Sequence, residues 1–296
     1  MKIKEFLDEN TANGIIESSE SPWSSPIVVV TKQDGSPRIC VDYGALNAIT
    51  IKDVHPILNI DECFPHLRKV KCFTILDLKS GYSQIPLDKE AKLRAAFSTR
   101  YGHFQWNVLP FGLTNASGSF QRWINQILAP FLDKFLISYM DAILIYSRTI
   151  EEHYEHVKKV LMALWEARMI LNIGKCEFFM QKVKFLGYII SADGICPDPG
   201  NIVKVVEWPV LKTITDVRGF NNLANHYVRY IENFADLALP LTDLQKESPP
   251  KGTLIKWTPE CQEAFDRIKH ALTTEPILRH PDMDKPFILD ADSSQY

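Results

Sequence analysis

The chain has 296 residues, 46% of them hydrophobic, which is enough apolar material for a large core divided into subdomains. Its net charge of −3 gives no overall basic footprint, so nucleic-acid binding would require basic residues gathered in one cleft. The six cysteines include no CxxC pair, which argues against a zinc site or a disulfide framework and predicts a reducing compartment.

The first predicted element is a short amphipathic helix over Ile3–Leu7. It lies within a segment, MKIKEFLDENTANG, that is too charged for a signal peptide. Further along the chain, no apolar run is long enough to span a membrane. We therefore expect no membrane partner.

Two strand-like runs, Ile27–Thr31 and Arg38–Tyr43, flank a turn and predict a β-hairpin. Lys32 and Arg38 are permanent cations on this hairpin, and an arginine can bind a phosphate through two parallel hydrogen bonds. The hairpin is therefore suited to clamp a triphosphate. Two exposed cations on an edge strand, without any ligand, explain the same pattern equally well.

Two later strands each carry an acid at one end. The run Cys72–Leu76 leads directly into Asp77, and the small residues after it allow a tight turn. The runs Phe135–Tyr139 and Ile143–Tyr146 predict a buried hairpin whose three-residue tip contains Asp141. A lone Asp there is most simply a polar turn residue. Two strand-borne acids, however, can converge at one end of a sheet and hold divalent cations.

A long amphipathic helix is predicted over Ile150–Arg168. Its apolar stripe consists of Val157, Val160, Leu161 and Leu164. His153 and His156 share another face of this helix, and we expect that face to be a solvated surface rather than a metal site.

The remainder of the chain reads as strands, then helices separated by linkers. The predicted strands are Leu171–Phe179 and Val183–Ile190, and the segments 194–201 and 247–252 have linker composition. The predicted helices are Ile202–Trp208, Thr215–Ile231 with Thr215 as N-cap, and Pro259–Leu272. The chain closes with KPFILDADSSQY.

Three motifs in order carry a family resemblance: FTILDLKSGYSQIPL around Asp77, AAFSTRYGHFQWNVLPFGLTNASGSFQ, and YMDAILIYS around Asp141. With this spacing, nearly the whole chain resembles the reverse transcriptase of gypsy-type LTR retrotransposons. The resemblance implies an α+β right-hand polymerase fold with fingers, palm and thumb, in which an antiparallel palm sheet carries the catalytic hairpin. It implies fingers and palm over residues 1–193, a thumb over 194–246, a connection over 247–285, and the truncated start of an RNase H-like domain over 286–296.

The resemblance also implies roles for individual residues. Asp77, Asp141 and the backbone carbonyl of Leu78 would hold metal, and Ala142 stands at the position of the third carboxylate. The residues implied to bind the nucleotide are Lys32, Arg38, Tyr82, Phe111, Gly112 and Lys175, and those implied to form the primer grip are Phe185, Leu186, Gly187 and Tyr188. For Tyr82, a bulky ring beside the sugar would exclude a ribose 2′-hydroxyl. A core tyrosine and a surface lysine are the simpler interpretations of Tyr82 and Lys175 taken alone.

The implied cofactors are two Mg²⁺ ions, with Mn²⁺ as a substitute, and the implied partners are a primed RNA or DNA template and deoxynucleotide triphosphates. The family's hairpin tip reads Tyr-x-Asp-Asp, so Ala142 removes one metal ligand and predicts impaired synthesis. Gly44 and Ala48 replace cations that are common in the family, which predicts weak template binding. Gly118 should loosen its helix, and Asn221 occupies an apolar position of the family.

Two functions from different classes therefore remain open. One is an RNA-directed DNA polymerase that is impaired at Ala142, and the other is a non-catalytic nucleic-acid-binding module with a polymerase fold. Asp292 would match the first metal ligand of RNase H, but the other acids are absent, so RNA hydrolysis by that mechanism is not expected. A cytoplasmic location is expected, with a virus-like particle or the nucleus as alternatives.

Overall fold

The computed structural model describes residues 2–31, 37–54, 64–246 and 250–273. The chain divides into two compact units. The first comprises residues 1–63 and 73–179, and the second comprises residues 64–72 and 180–296. Among the described residues, no helix is both long and apolar enough to cross a membrane.

The first unit contains a five-stranded sheet with the order β1-β6-β5-β2-β3. Its strands are β1 (Ile16–Ser18), β2 (Ser25–Thr31), β3 (Pro37–Val41), β5 (Phe97–Thr99) and β6 (Gly102–Trp106). The predicted hairpin is confirmed, because β2 and β3 pair antiparallel from Ile27↔Val41 to Thr31↔Pro37. Helix α1 (Lys2–Ala12) extends five residues beyond the predicted helix and packs its buried Leu7 against Ile16 and Phe97.

A second sheet of this unit has the order β7-β8-β4-β9. Its strands are β4 (Cys72–Asp77), β7 (Leu136–Tyr139), β8 (Ala142–Ser147) and β9 (Glu177–Met180). Apart from α1, the α-helices among the described residues of this unit are α2 (Gly44–Ile49), α3 (Lys89–Arg94), α4 (Ala116–Leu128) and α5 (Ile150–Glu166). The helices α4 and α5 share one core with β4, β7 and β8, in which Leu76, Phe120, Ile124, Ile143 and Val160 are almost completely buried.

Helix α5 confirms the predicted helix to within two residues, and the Thr149 side chain caps it by accepting a hydrogen bond from the Glu152 amide. The expectation of a solvated face at His153 is wrong, because this residue is fully buried. Its Nε2 lies 2.8 Å from Thr74 Oγ1 and its Nδ1 lies 2.8 Å from Ser147 Oγ. A sequence pattern could not show this, because the two hydroxyls come from β4 and β8.

The predicted strand Leu171–Phe179 is also wrong over most of its length. Ile173–Lys175 forms a 3₁₀ helix, and regular strand structure begins only at Glu177. Asn172 and Gly174 favour a turn at this point, and the turn is closed by a 2.9 Å hydrogen bond from the Lys175 amide to the Asn172 carbonyl.

The second unit begins with an antiparallel three-stranded sheet, β10 (Lys182–Phe185), β11 (Tyr188–Ser191) and β12 (Gly194–Pro197). The predicted single strand Val183–Ile190 is therefore two strands. Leu186 and Gly187 both have positive φ, 50° and 87°, as a two-residue hairpin turn requires. The predicted linker 194–201 is wrong as well, because its first half is β12 and its second half enters a helix.

Where the structure describes this unit, its α-helices are α6 (Pro199–Val206), α7 (Ile214–His226), α8 (Phe234–Asp243) and α9 (Pro259–Thr273). Thr215 does not cap α7. Thr213 does so instead, in a capping box with Asp216. The Thr213 hydroxyl accepts a hydrogen bond from the Asp216 amide, and the Asp216 carboxylate accepts one from the Thr213 amide. Helix α8, which contains Pro240, was not predicted.

Candidate active site

Two acidic residues lie at the ends of adjacent strands in the four-stranded sheet. Strand β4 ends at Asp77, and Asp141 immediately precedes β8. The Leu78 amide donates a 3.0 Å hydrogen bond to the Asp141 carbonyl, which ties the two strand ends together. Asp77 is partly buried and Asp141 is exposed. The structure thus brings both predicted acids to one end of the sheet, while their metal-binding role stays a prediction.

The backbone of Asp77 is fixed by the segment that follows α5. The Asn172 amide donates a 2.8 Å hydrogen bond to the Asp77 carbonyl, and the Asp77 amide points at Cys176 Sγ over 3.5 Å. Lys175 lies between Asn172 and Cys176 in sequence, and its Nζ is 3.9 Å from Asp77 Oδ2. The lysine is mostly exposed, so this ion pair adds little stability. The contact places an exposed cation beside the Asp77 carboxylate.

The hairpin tip between β7 and β8 is a two-residue turn. Tyr139 pairs with Ala142, so Ala142 belongs to β8 and not to the predicted three-residue tip. Met140 adopts φ 53°, a left-handed conformation that is unusual outside glycine. The buried side chain of Gln121 holds this turn, because its Oε1 accepts from the Met140 amide at 2.6 Å and its Nε2 donates to the Ser138 carbonyl at 3.1 Å.

The ring of Tyr82 is wedged between two phenylalanines. Its centroid lies 4.7 Å from that of Phe111 and 5.0 Å from that of Phe120, both in edge-to-face geometry. Its hydroxyl lies 3.0 Å from Ser117 Oγ and 3.9 Å from Met140 Sδ. Tyr82 is only partly buried, so the ring is fixed in position while one part of it faces solvent.

Gly81 explains how the turn after β4 approaches the hairpin tip so closely. A Cβ atom at this position would lie 2.9 Å from Phe120 Cζ and 3.4 Å from Asp141 Cβ. A side chain here would therefore displace the Phe120 ring, which packs against Tyr82, and would contact Asp141.

The loop that carries Phe111 and Gly112 is anchored by an asparagine from α2. Gly112 has φ 98°, which favours glycine, and its carbonyl accepts a 2.8 Å hydrogen bond from Asn47 Nδ2. Asn47 Oδ1 accepts in turn from the Thr114 amide at 2.8 Å. The exposed ring of Phe111 is thereby presented beside Tyr82 on a fixed loop.

Residues 30–190, more than half of the chain, match the family model described as "Reverse transcriptase (RNA-dependent DNA polymerase)". The chain belongs to this family. Residues 257–296 match a second model, the RNase H-like domain found in reverse transcriptase.

Known proteins resemble this reverse transcriptase chain over almost all of its length. The retrovirus-related Pol polyprotein from transposon 297 of Drosophila melanogaster is 37% identical over 299 residues, which cover 99% of this chain and 28% of that protein. The transposon Tf2-3 polyprotein of Schizosaccharomyces pombe is 36% identical over 292 residues, which cover 99% of this chain and 22% of that protein. The chain therefore spans less than a third of the curated relatives it matches.

A solved structure, the foamy viral protease–reverse transcriptase dRH in complex with double-stranded DNA, superposes with a TM-score of 0.85 at 25% identity. The match covers 95% of this chain and 49% of the foamy viral chain. It confirms the predicted α+β polymerase fold with antiparallel sheets.

Several predicted site residues lie outside the described residues or belong to the second unit. Lys32 and Asp292 lie outside the described residues, as does the side chain of Arg38, whose backbone belongs to β3. The implied primer-grip residues Phe185–Tyr188 lie in the second unit, where Tyr188 donates a 2.9 Å hydrogen bond from its hydroxyl to the His226 carbonyl. The roles of all these residues stay predictions.

Three glutamine and asparagine side chains that support the site were missed by the sequence analysis. They are Gln121 under the hairpin tip, Asn47 under the Gly112 loop, and Gln84, which bonds the carbonyls of Lys79 and Ile170 and the amide of Ile170. Apart from the Lys79 carbonyl, their partners are backbone atoms more than 15 residues away in sequence, so periodicity could not reveal them.

The donor set for divalent metal is limited. The described residues contain no group of three or more His, Cys, Asp or Glu side chains arranged to hold a metal ion. Asp77 and Asp141 supply two carboxylates, while Ala142 supplies no side-chain oxygen. The carboxylates of Asp77 and Asp141 fit one hard cation that also carries phosphate ligands. They are too few for a second cation held mainly by protein oxygens.

Proposed function

We propose that this chain is the polymerase portion of a gypsy-type LTR retrotransposon Pol polyprotein, an RNA-directed DNA polymerase weakened at Ala142. The observation that carries the proposal is the 3.0 Å bond from the Leu78 amide to the Asp141 carbonyl. It brings the acids of two adjacent strands to one sheet end, beside the Tyr82 ring. Membership of the reverse transcriptase family supports the same conclusion.

The proposed substrates are a primed RNA or DNA template and a deoxynucleotide triphosphate. Lys175 can leave its 3.9 Å contact with Asp77 and meet the phosphates, because its side chain is mostly exposed. Phe111 offers an exposed ring on a fixed loop, and Gly112 allows close approach of the backbone. We assign Tyr82 to the sugar, where its clamped ring would exclude a 2′-hydroxyl.

Divalent ions supply charge neutralisation of the triphosphate and activation of the primer hydroxyl in this class of reaction. Asp77, the Leu78 carbonyl and Asp141 would hold an Mg²⁺ or Mn²⁺ ion that arrives with the nucleotide. Ala142 leaves the primer side of the site short of one carboxylate. If that carboxylate contributes several kcal/mol to barrier lowering, its loss slows synthesis by roughly 10²–10⁴-fold.

A second candidate function is a nucleic-acid-binding module without polymerase activity. It is favoured by Ala142 and by a second departure, Asn221, whose Oδ1 is buried without a hydrogen-bond partner among the described residues. Sites that are no longer selected for catalysis collect such changes in several places at once. The cellular location stays an expectation: cytoplasm, a virus-like particle or the nucleus.

Primer extension separates the two functions. The unaltered chain and its Ala142→Asp variant are compared on a primed template in Mg²⁺ and in Mn²⁺. Rescue by at least about 100-fold in Mg²⁺ supports the weakened polymerase. Equal rates for both proteins would contradict the role of Ala142. Binding of the primed template without synthesis by either protein would favour the binding module.

A further inference from the structure

The end of strand β4 that carries Asp77 is held from two sides. On one side, the Leu78 amide donates a 3.0 Å hydrogen bond to the Asp141 carbonyl of the hairpin tip. On the other side lies the segment 170–176, which follows α5. An isolated β-bridge between Leu78 and Leu171 brings this segment against the strand end. The position of the acid therefore depends on the segment as well as on the hairpin.

Within this segment, Cys176 completes a closed circuit of three hydrogen bonds around Asp77. The Asn172 amide donates to the Asp77 carbonyl at 2.8 Å, and the Asp77 amide donates to Cys176 Sγ at 3.5 Å. The Cys176 thiol donates in turn to the Asn172 carbonyl at 3.3 Å. The Asp77 carbonyl is more distant from the sulfur, at 4.0 Å, so the single thiol proton is directed to Asn172. Both backbone groups of Asp77 are thereby tied to the segment.

The circuit requires one side chain that donates and accepts at the same position. A thiol or a hydroxyl does both, whereas an aliphatic side chain does neither. Packing is the competing explanation, because Cys176 is partly buried against the core that β4 shares with α5. The two explanations differ for valine, which fills the volume without bonding, and for serine, which bonds but is smaller. The extended backbone at Cys176, with φ −78° and ψ 139°, suits either replacement.

We propose that Cys176 is a positioning residue for Asp77, and the inference rests on the proposed function of Asp77 as a metal ligand. The thiol acts through the backbone of Asp77 and not on the substrate. Without it, the bonds to the Asp77 amide and to the Asn172 carbonyl are lost, and the strand end can shift relative to Asp141. A displacement of about 1 Å near a reacting centre costs about 100-fold in rate.

Cys176→Ser and Cys176→Val, each made in the Ala142→Asp chain, separate bonding from packing. Cys40→Val is the matched control, because Cys40 is also partly buried and lies in β3. In Cys176→Val, hydrogen exchange over residues 74–79, followed by mass spectrometry, should be at least about threefold faster than in the parent. Cys176→Ser should exchange more slowly than Cys176→Val. We expect the urea midpoints to stay near that of the parent, so that the faster exchange is local.

Primer extension in Mg²⁺ tests the catalytic consequence. Cys176→Val should lower kcat at least about tenfold and raise the half-saturating Mg²⁺ concentration at least about threefold, with little change in the KM for nucleotide. Cys176→Ser should be at least about threefold faster than Cys176→Val, and Cys40→Val should match the parent. A Cys176→Val protein as active as the parent, or a Cys176→Ser protein no better than Cys176→Val, would overturn the proposal.

A failure of the proposed function gives a different result. If the Ala142→Asp parent makes no DNA, Mn²⁺ binding decides, measured by electron paramagnetic resonance of the free ion, with Asp77→Asn marking the loss of this site. Cys176→Val should then raise the Kd for Mn²⁺ at least about threefold, and Cys176→Ser should raise it less. Equal Mn²⁺ affinities in the parent and Cys176→Val, or unchanged exchange over residues 74–79, would overturn the positioning role with or without polymerase activity.

Discussion

Gln121 Oε1 accepts a 2.6 Å hydrogen bond from the amide of Met140, the residue that precedes Asp141. The same side chain donates to the Ser138 carbonyl on the other side of the turn. A buried amide on α4 therefore holds both arms of the hairpin tip, including a residue in a strained left-handed conformation. The position of Asp141 depends on this helix as much as on the strand pairing.

Gln121→Leu should lower the free energy of unfolding by about 1–3 kcal/mol, because it leaves two backbone groups without their partner. Urea denaturation measures the change. Gln126→Leu is the matched control, since Gln126 is exposed on the same helix and should change stability by less than about 0.5 kcal/mol. Equal effects of the two substitutions would show that Gln121 does not support the tip.

The buried histidine predicts how stability depends on pH. Burial, together with the neighbouring His156, lowers the pKa of His153 from 6.5 to about 4. In the unfolded chain His153 is therefore protonated as the pH falls through about 6.5, whereas in the folded chain it is protonated only near pH 4. Stability should fall as the pH falls through this window, by about 3 kcal/mol in total, and His153 should contribute no dependence above it.

Measuring the free energy of unfolding from pH 7 to pH 4 tests this expectation. His153→Gln should flatten the curve, because the amide can bond Thr74 and Ser147 without titrating. His66→Gln provides the control, since His66 is exposed. A curve of unchanged steepness in His153→Gln would assign the acid sensitivity to other groups. His156, whose pKa burial also lowers, is the first of these.

The sequence was most informative where the pattern is local. The acid-bearing strand, the hairpin around Asp141 and helix α5 were all predicted close to their observed bounds, because each has a strong period or a clear turn. The site residues Asp77 and Asp141 followed from strand ends plus a family resemblance. Neither source could supply the network that supports them.

The wrong predictions each have a physical cause. The segment 183–190 was misjudged because positive φ at Leu186 and Gly187 folds an apolar run back on itself. The segment 194–201 was misjudged because its first four residues pair antiparallel with β11 as a third strand. His153 was misjudged because its partners, Thr74 and Ser147, are hydroxyls that only the folded sheet brings to one side of α5. Hairpin turns decided the two segments, and contacts made by the folded sheet decided His153.

Asn221 offers a test of the second departure from the family pattern. Its Oδ1 has no hydrogen-bond partner in the described part of the chain, and a buried carbonyl oxygen in that state costs free energy. Asn221→Leu should therefore raise the free energy of unfolding by roughly 1 kcal/mol. The adjacent Asn222 is exposed, and Asn222→Leu should have little effect. Thermal denaturation measures the change. A higher melting temperature for Asn222→Leu but not for Asn221→Leu would show that the buried Oδ1 of Asn221 does not destabilise the fold.

The last prediction concerns Tyr82 and requires a protein that synthesises DNA, so it belongs in the Ala142→Asp background. Phe111 and Phe120 fix the ring from both sides, and Ser117 holds its hydroxyl. Tyr82→Ala removes the ring and should raise the ratio of ribonucleotide to deoxynucleotide incorporation by roughly 10- to 100-fold. Single-nucleotide extension with each substrate measures the ratio through kcat/KM.

Tyr82→Phe and Ser117→Ala separate the ring from its hydroxyl. Both variants keep the ring and remove the 3.0 Å contact between Tyr82 and Ser117, and Tyr82→Phe also removes the 3.9 Å contact with Met140 Sδ. If exclusion is steric, both variants should discriminate nearly as well as the parent, because two phenylalanines still hold the ring. If discrimination falls equally in Tyr82→Phe and Tyr82→Ala, the hydroxyl and not the ring decides it. An unchanged ratio in Tyr82→Ala would remove Tyr82 from the sugar site altogether.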